Sequence, residues 1–236
     1  MCPDCDFHST DILDELEDEE TDRRSLTGNE IDFIESRLEQ NTSQMHLNFE
    51  FVRQFTDMAG LKCLDVGCGA GVFPSLLQHA EARVSAIEPQ ALLRQFCRTR
   101  YNISPRHKLV DSAYWQQGFP GHFDVVTLWD TLEHVNFPAQ TIAAIGRVMK
   151  LGGHLFLDTP ARESLSYRLS TWSYRITGGR NSSMLNSFYS EKRFGHKQIF
   201  TRKQLRQLLE DNGFTIMGSS PLHRGKNKHV IVCQKN

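Results

Sequence analysis

The segment Leu64-Asp65-Val66-Gly67-Cys68-Gly69-Ala70-Gly71 joins a carboxylate to three glycines at alternate positions. Glycines so spaced let a backbone turn tightly and approach a ligand closely. An apolar run ends at Gly67 and a helix-forming run starts near Gly71, so the turn opens onto a helix amino terminus that receives a polar or anionic group. Two details narrow the ligand. The spacing is G-x-G-x-G, whereas a dinucleotide fingerprint needs G-x-G-x-x-G. Asp65 at the strand end would also repel a pyrophosphate and attract an ammonium. Glu88 lies 21 residues beyond Gly67, at the end of the next apolar run, Ala86-Ile87-Glu88-Pro89. A carboxylate there can accept both hydroxyls of a ribose; read blandly, it is a surface glutamate at a strand end. S-adenosylmethionine carries a ribose, an ammonium, a carboxylate and a sulfonium, and no phosphate.

These residues need a scaffold. Leu61–Gly67, Arg83–Pro89, His107–Ser112, Phe123–Asp130 and Gly153–Pro160 read as strands. Gly71–Ala80, Ala91–Arg100 and Thr141–Lys150 read as helices between them. Strands alternating with helices imply crossover units, a parallel sheet and helices on both faces. Thr201–Phe214 reads as a helix capped by Thr201 and stopped by Gly213. Phe214–Ser220 and Lys228–Gln234 then read as an antiparallel hairpin, which brings the sheet to seven strands. Ahead of the sheet, Ile31, Ile34 and Leu38 mark one helix, Asn41-Thr42-Ser43 interrupts it, and a second follows up to about residue 60. Residues 161–199 break the alternation with Tyr167, Trp172, Tyr174, Phe188, Tyr189 and Phe194, and read as a lid over the strands' carboxyl ends.

The stretch Leu61–Pro160 resembles the class I S-adenosylmethionine-dependent methyltransferases, in the broad group of the ubiquinone-biosynthesis O-methyltransferases. LDVGCGAG, AIEP, LVDSA, FDVVTLWDTLEHV and RVMKLGG stand in the order and spacing of that family's motifs. Leu151 departs from the pattern at a position where the family usually has proline. The resemblance implies a Rossmann-like α/β fold, with residues 26–236 as the methyltransferase domain and residues 26–60 as cap helices; residues 1–25, crowded with carboxylates from Asp11 to Glu20, read by composition as an acidic, flexible lead. It also implies that Asp65, Gly67, Cys68, Gly69 and Gly71 line the methionine end of the cofactor. Glu88 and Pro89 would hold the ribose, Asp111 and Ser112 the adenine, and Trp129 and Asp130 would meet the methionine moiety and the acceptor.

For methyl transfer in line from the sulfonium, the protein has to align a nucleophile and exclude water; alignment is worth roughly 7–11 kcal/mol. A hydroxyl acceptor also has to lose a proton, which calls for a base or a metal. His196, just before the Thr201 helix, is one candidate base; in family members a histidine there often faces the pocket. Asp130, Glu133 and His134 resemble an E-x-x-E-H segment to which some ubiquinone-pathway enzymes bind a divalent cation, although the same L-E-H-V stretch more often only orients a helix. The favoured expectation is no metal, with Asp130, His134 and His196 as the catalytic candidates.

Composition sets outer bounds. The net charge is -1, with 39% hydrophobic and 23% charged residues. That gives no broad basic face for nucleic acid, and no run of about 18 apolar residues could span a bilayer. Nothing in the first 20 residues reads as a secretory signal. Expected are a cytoplasmic location, no membrane and no nucleic-acid partner, and a monomer or homodimer with a small-molecule acceptor. The arginines among residues 161–199 suit either an acidic acceptor or a solvated face. Cys2 and Cys5 make half a zinc ribbon, and a structural zinc needs four ligands. Competing readings are an RNA or protein methyltransferase, a non-catalytic S-adenosylmethionine-binding protein, and a nicotinamide oxidoreductase, the last disfavoured by the glycine spacing and Asp65.

Overall fold

The computed structural model describes residues 6–15, 25–189, 193–220 and 227–236, with backbone alone for 39–40. Cys2, Cys5, most of the acidic run up to Glu20, and Lys192 lie outside the described residues.

The sheet has six strands: β2 (Lys62–Val66), β3 (Arg83–Ile87), β4 (Phe123–Leu128), β5 (Met149–Pro160), β7 (Phe214–Ser219) and β8 (Lys228–Lys235). Their order is β3-β2-β4-β5-β8-β7. The first four run parallel, and β8 lies antiparallel to both β5 and β7. Two helical layers cover the sheet because successive strand residues point to opposite faces. Leu64, Val126, Leu155, Leu157, Ile231 and Cys233 pack against α5 (Pro138–Val148) and α8 (Arg202–Asp211). Their neighbours Cys63, Val125, Phe156, Val230 and Val232 pack against α1 (Gly28–Arg53) and α2 (Val72–His79). Thr201 caps α8 in a capping box with Gln204, as the sequence predicts. Among the described residues no helix is long and apolar enough to cross a membrane.

Two predicted elements come out differently. The seventh strand, His107–Ser112, is absent: its neighbourhood makes a single bridge, between Arg106 and Ile87. Side chains take the carbonyls that a ladder would have used. Trp115 Nε1 donates to Lys108 O at 2.8 Å and Gln116 Nε2 to Val110 O at 2.6 Å, from α4 (Ala113–Gly118). The break at Asn41-Thr42-Ser43 is absent too, and α1 runs unbroken. Thr42 Oγ1 folds back onto Leu38 O at 2.6 Å. Ile34 is anchored against Ala70 and Phe96, and Phe51 and Val52 against the sheet. Packing at both ends outweighs a local propensity deficit of under ~1 kcal/mol per residue.

Residues 6–15, expected as part of a flexible lead, cross the molecule. β1 (His8–Ser9) pairs with β6 (Gln198–Ile199) in a separate two-stranded sheet. Between β5 and β6, the predicted lid holds α6 (Leu165–Ile176) and α7 (Ser183–Asn186).

Candidate functional site

The site is assembled at the carboxyl ends of β2 and β3. Both Gly67 N and Cys68 N donate to Ile87 O, at 2.8 and 2.9 Å, which ties the glycine turn to the neighbouring strand. Gly67 has φ 76° and Gly71 has φ 92°, a region costly for any residue with a Cβ. Space is as tight as the angles. A Cβ on Gly67 would lie 2.4 Å from Thr131 Oγ1, and one on Gly71 2.3 Å from Cys97 Sγ.

Glu88 closes the turn from the β3 side. Its carboxylate accepts from Gly69 N at 2.9 Å and from Gln90 N at 2.8 Å. Arg94 Nη1 holds the main chain behind it, donating to Pro89 O at 2.6 Å. A carboxylate has about four lone-pair sites, so two backbone donors leave capacity for a ligand. Burial pushes Glu88 up to about 7 and Asp65 likewise up to about 7. An added hydroxyl donor or cation would relieve that penalty.

A cavity of about 440 Å³ opens above this floor, within the ordinary range for small-molecule sites. Val66, Gly67, Gly69, Glu88, Pro89 and Asp111 line it, together with Asp130, Thr131, His134, Asn136, Gln140 and Thr141. Asp130 holds a left-handed backbone, φ 47°. Its amide donates to Asp158 Oδ1 at 2.5 Å, and its carboxylate pairs with Lys228, which also reaches Asp158 Oδ2 at 3.2 Å. Burial alone would lower the Lys228 ammonium; the two carboxylates outweigh it and hold the group above its ordinary value.

Behind the cavity wall, Glu133 is fully buried, and its two carboxylate oxygens meet no hydrogen-bond donor among the described residues. Burial, with the charges of Asp130 and Asp158, drives its carboxyl well upward. Glu133, His134 and His196 each bring one donor atom within 4.8 Å of the others. Asp130, named with Glu133 and His134 as a candidate ligand, belongs instead to the Lys228 pair; His196 takes its place. The His134 and His196 rings lie 4.7 Å apart, and His196 Nδ1 meets Phe188 O at 3.2 Å. Burial first, then the proximity of His196, keeps His134 below its usual range, and burial does the same to His196.

The amino-terminal segment contributes a wall that sequence reasoning missed. Asp14 lines the cavity. Its carboxylate pairs with buried Lys197 at 3.0 Å and accepts from Phe194 N at 3.1 and 3.2 Å. Its backbone trades two 2.9 Å hydrogen bonds with the Asn136 side chain. Nothing near Asp14 in the sequence signals this.

Of the predicted site residues, Gly67, Gly69, Glu88, Pro89, Asp111, Asp130 and His134 meet at one cavity. Asp65, Cys68, Gly71, Ser112, Trp129 and His196 stand outside its lining. Asp65 is sealed behind the turn and accepts from Thr127 Oγ1 at 2.6 Å. Cys68 packs with Cys97, and Gly71 precedes α2. Ser112 occupies the cap position of α4. Trp129 is buried edge-on to Phe73, centroids 5.2 Å apart. Asp158 and Lys228 were missed, although Asp158 follows the strand-end carboxylate pattern that marked Asp65 and Glu88.

Comparison with known proteins gives a consistent picture. The chain matches the family described as a methyltransferase domain over residues 33–218. It is 35% identical over 127 residues to a ubiquinone biosynthesis O-methyltransferase of Thiobacillus denitrificans, covering 52% of this chain and 55% of that protein. The Methylococcus capsulatus protein of the same name is 34% identical over 128 residues, covering 52% and 54%. The chain spans about half the length of the curated relatives it matches. In fold it is similar to a Thermotoga maritima S-adenosylmethionine-dependent methyltransferase described as a possible histamine N-methyltransferase, at 17% identity and TM-score 0.61, covering 87% of this chain and 96% of that one. A magnesium protoporphyrin IX methyltransferase from Synechocystis, solved with bound S-adenosylhomocysteine, is similar at 17% identity and TM-score 0.57, covering 91% and 90%.

Proposed function

Since the chain belongs to the methyltransferase-domain family, we propose that it moves the methyl group of S-adenosylmethionine onto a hydroxyl of a small-molecule acceptor. One observation carries this reading: the cavity floor joins the tightly wedged glycine turn to a buried glutamate with unused acceptor capacity. The donor set fits the cofactor, whose ribose offers two hydroxyls and whose methionine end fits against the exposed backbone of the turn. The cofactor, when bound, supplies a methyl group already activated on a positive sulfur.

The chain does the rest. Glu88 accepts from the ribose, Asp111 faces the adenine end with Ser112 behind it at the start of α4, and Asp65 braces the turn from behind. Asp130 and His134 line the same cavity, and in this reading they meet the acceptor. His134, with its proton affinity lowered, is uncharged at neutral pH and free to take the acceptor's proton; a positioned base contributes about 10²–10⁴-fold. His196 packs against it with the two rings tilted, centroids 4.7 Å apart, and positions its ring. The preference for oxygen is supported by the names of the curated relatives. The net charge of -1 speaks against the RNA alternative.

Calorimetry with S-adenosylmethionine, S-adenosylhomocysteine and NAD tests the reading. Binding of the first two is expected, and tight NAD binding with neither of the others would overturn it. Glu133 favours a second reading. One carboxylate and two imidazoles suit zinc or manganese better than magnesium, and a cation would satisfy the two stranded oxygens. It would act on the acceptor oxygen as a Lewis acid. Turnover that survives exhaustive chelation removes this reading and leaves His134 as the base.

A further inference from the structure

Lys228 stands at the amino-terminal end of β8, paired in register with Pro160 of β5. Because β8 runs antiparallel to β5, that end lies beside the carboxyl ends of the parallel strands, where open α/β sheets bind ligands. Its ammonium closes a ring with two carboxylates. Lys228 Nζ pairs with Asp130 Oδ1 and lies 3.2 Å from Asp158 Oδ2, while Asp158 Oδ1 accepts from Asp130 N at 2.5 Å. Asp158 is fully buried on β5, so the ring is anchored to the sheet. What it encloses is a bend. Asp130 has φ 47°, a conformation that costs a residue with a Cβ roughly a fivefold loss in population.

The bend sets the residues that follow it. Thr131 is buried, its hydroxyl donates to Trp129 O at 3.0 Å, and its carbonyl accepts from His134 N at 2.9 Å. Thr131 also fills the space over Gly67, where a Cβ would meet its Oγ1 at 2.4 Å and its Cγ2 at 2.7 Å. A change of backbone angle at Asp130 would therefore withdraw Thr131 from the glycine turn. We propose that Lys228 is a positioning residue for the cofactor. It holds the Asp130 bend in its left-handed form, and the bend holds Thr131 against the turn that receives the methionine end. The inference rests on the cofactor reading given above, and adds to it a residue from outside the cavity lining.

Holding a backbone angle differs from merely neutralising two carboxylates, and calorimetry with S-adenosylhomocysteine on the full chain and its variants separates the two. Lys228→Met is expected to weaken binding roughly fivefold, the population lost by an unsupported left-handed bend. Lys228→Arg, which keeps a cation there, is expected to restore most of it. Combining Lys228→Met with Asp130→Ala or with Asp130→Gly removes the same carboxylate, but only glycine takes a positive φ without cost. Asp130→Gly is expected to recover the affinity lost in Lys228→Met, and Asp130→Ala is not. Cooperative urea unfolding confirms that each variant is folded. If Lys228→Met alone does not fold, the two double variants, each with one carboxylate fewer, carry the comparison. Unchanged affinity in Lys228→Met, or equal affinities in the two double variants, overturns the proposal and leaves the cofactor reading intact. A parent chain that binds no S-adenosylhomocysteine overturns the cofactor reading and this inference with it.

Discussion

Glu88 and Asp65 are both buried carboxylates beside the glycine turn, yet only Glu88 reaches the cavity. Glu88→Ala is therefore expected to weaken S-adenosylhomocysteine about 10–100-fold in calorimetry, the worth of hydrogen bonds to a charged acceptor. Both groups also shape stability against pH. Burial raises the folded pKa of Glu88 from 4.5 to about 7, so the folded state holds the proton more tightly than the unfolded one. Its contribution is present in full below 4.5 and is lost as pH rises through about 7. In Glu88→Gln, the fall in urea midpoint over that window is expected to be shallower than in the parent chain. An identical pH slope in the two proteins would refute the assignment. Lys228 is the counterpart on the far wall. Lys228→Met leaves the Asp130 and Asp158 carboxylates facing each other across a mostly buried site, and is expected to cost roughly 3 kcal/mol in denaturant unfolding.

Among the elements, the turn between β2 and α2 is the least tolerant of change. Gly67→Ala meets both a positive φ and Thr131 Oγ1 at 2.4 Å. Paired with Thr131→Ala, which removes Oγ1 and Cγ2 and leaves only the Thr131 Cβ at 3.1 Å, the angle strain of ~1–2 kcal/mol is the main cost left. Recovery of S-adenosylhomocysteine binding in the double variant then separates crowding from strain. The amino-terminal segment makes a different prediction. Asp14 sits between buried Lys197 and the Phe194 amide, although some 180 residues separate these positions from Asp14 in the chain. Asp14→Ala strands the Lys197 ammonium and is expected to cost ~3–5 kcal/mol, read as a melting temperature lower by about 10 °C. The same loss would open one wall of the acceptor end, so KM for the acceptor is expected to rise more than the cofactor dissociation constant.

For the molecule as a whole, ligand and fold are linked. Saturation with S-adenosylhomocysteine at about 100 times its dissociation constant is expected to add ~2.7 kcal/mol to stability, and NAD at equal concentration nothing. The sequence by itself determined the parallel core, the glycine turn and Glu88, because strand alternation, left-handed glycines and strand-end carboxylates are local signals with fixed spacing. Thr201 and Gly213 bounded α8 on the same terms. Only the tertiary structure decided that His107–Ser112 forms no strand, since its carbonyls are taken by Trp115 and Gln116. Packing at its two ends likewise carried α1 through Asn41-Thr42-Ser43. Which carboxylate faces the cavity, whether His134 or His196 lines it, and how Asp14 comes to wall it are relations between distant segments. They depend on how the layers close around a shared cavity, and no spacing within a single segment encodes that.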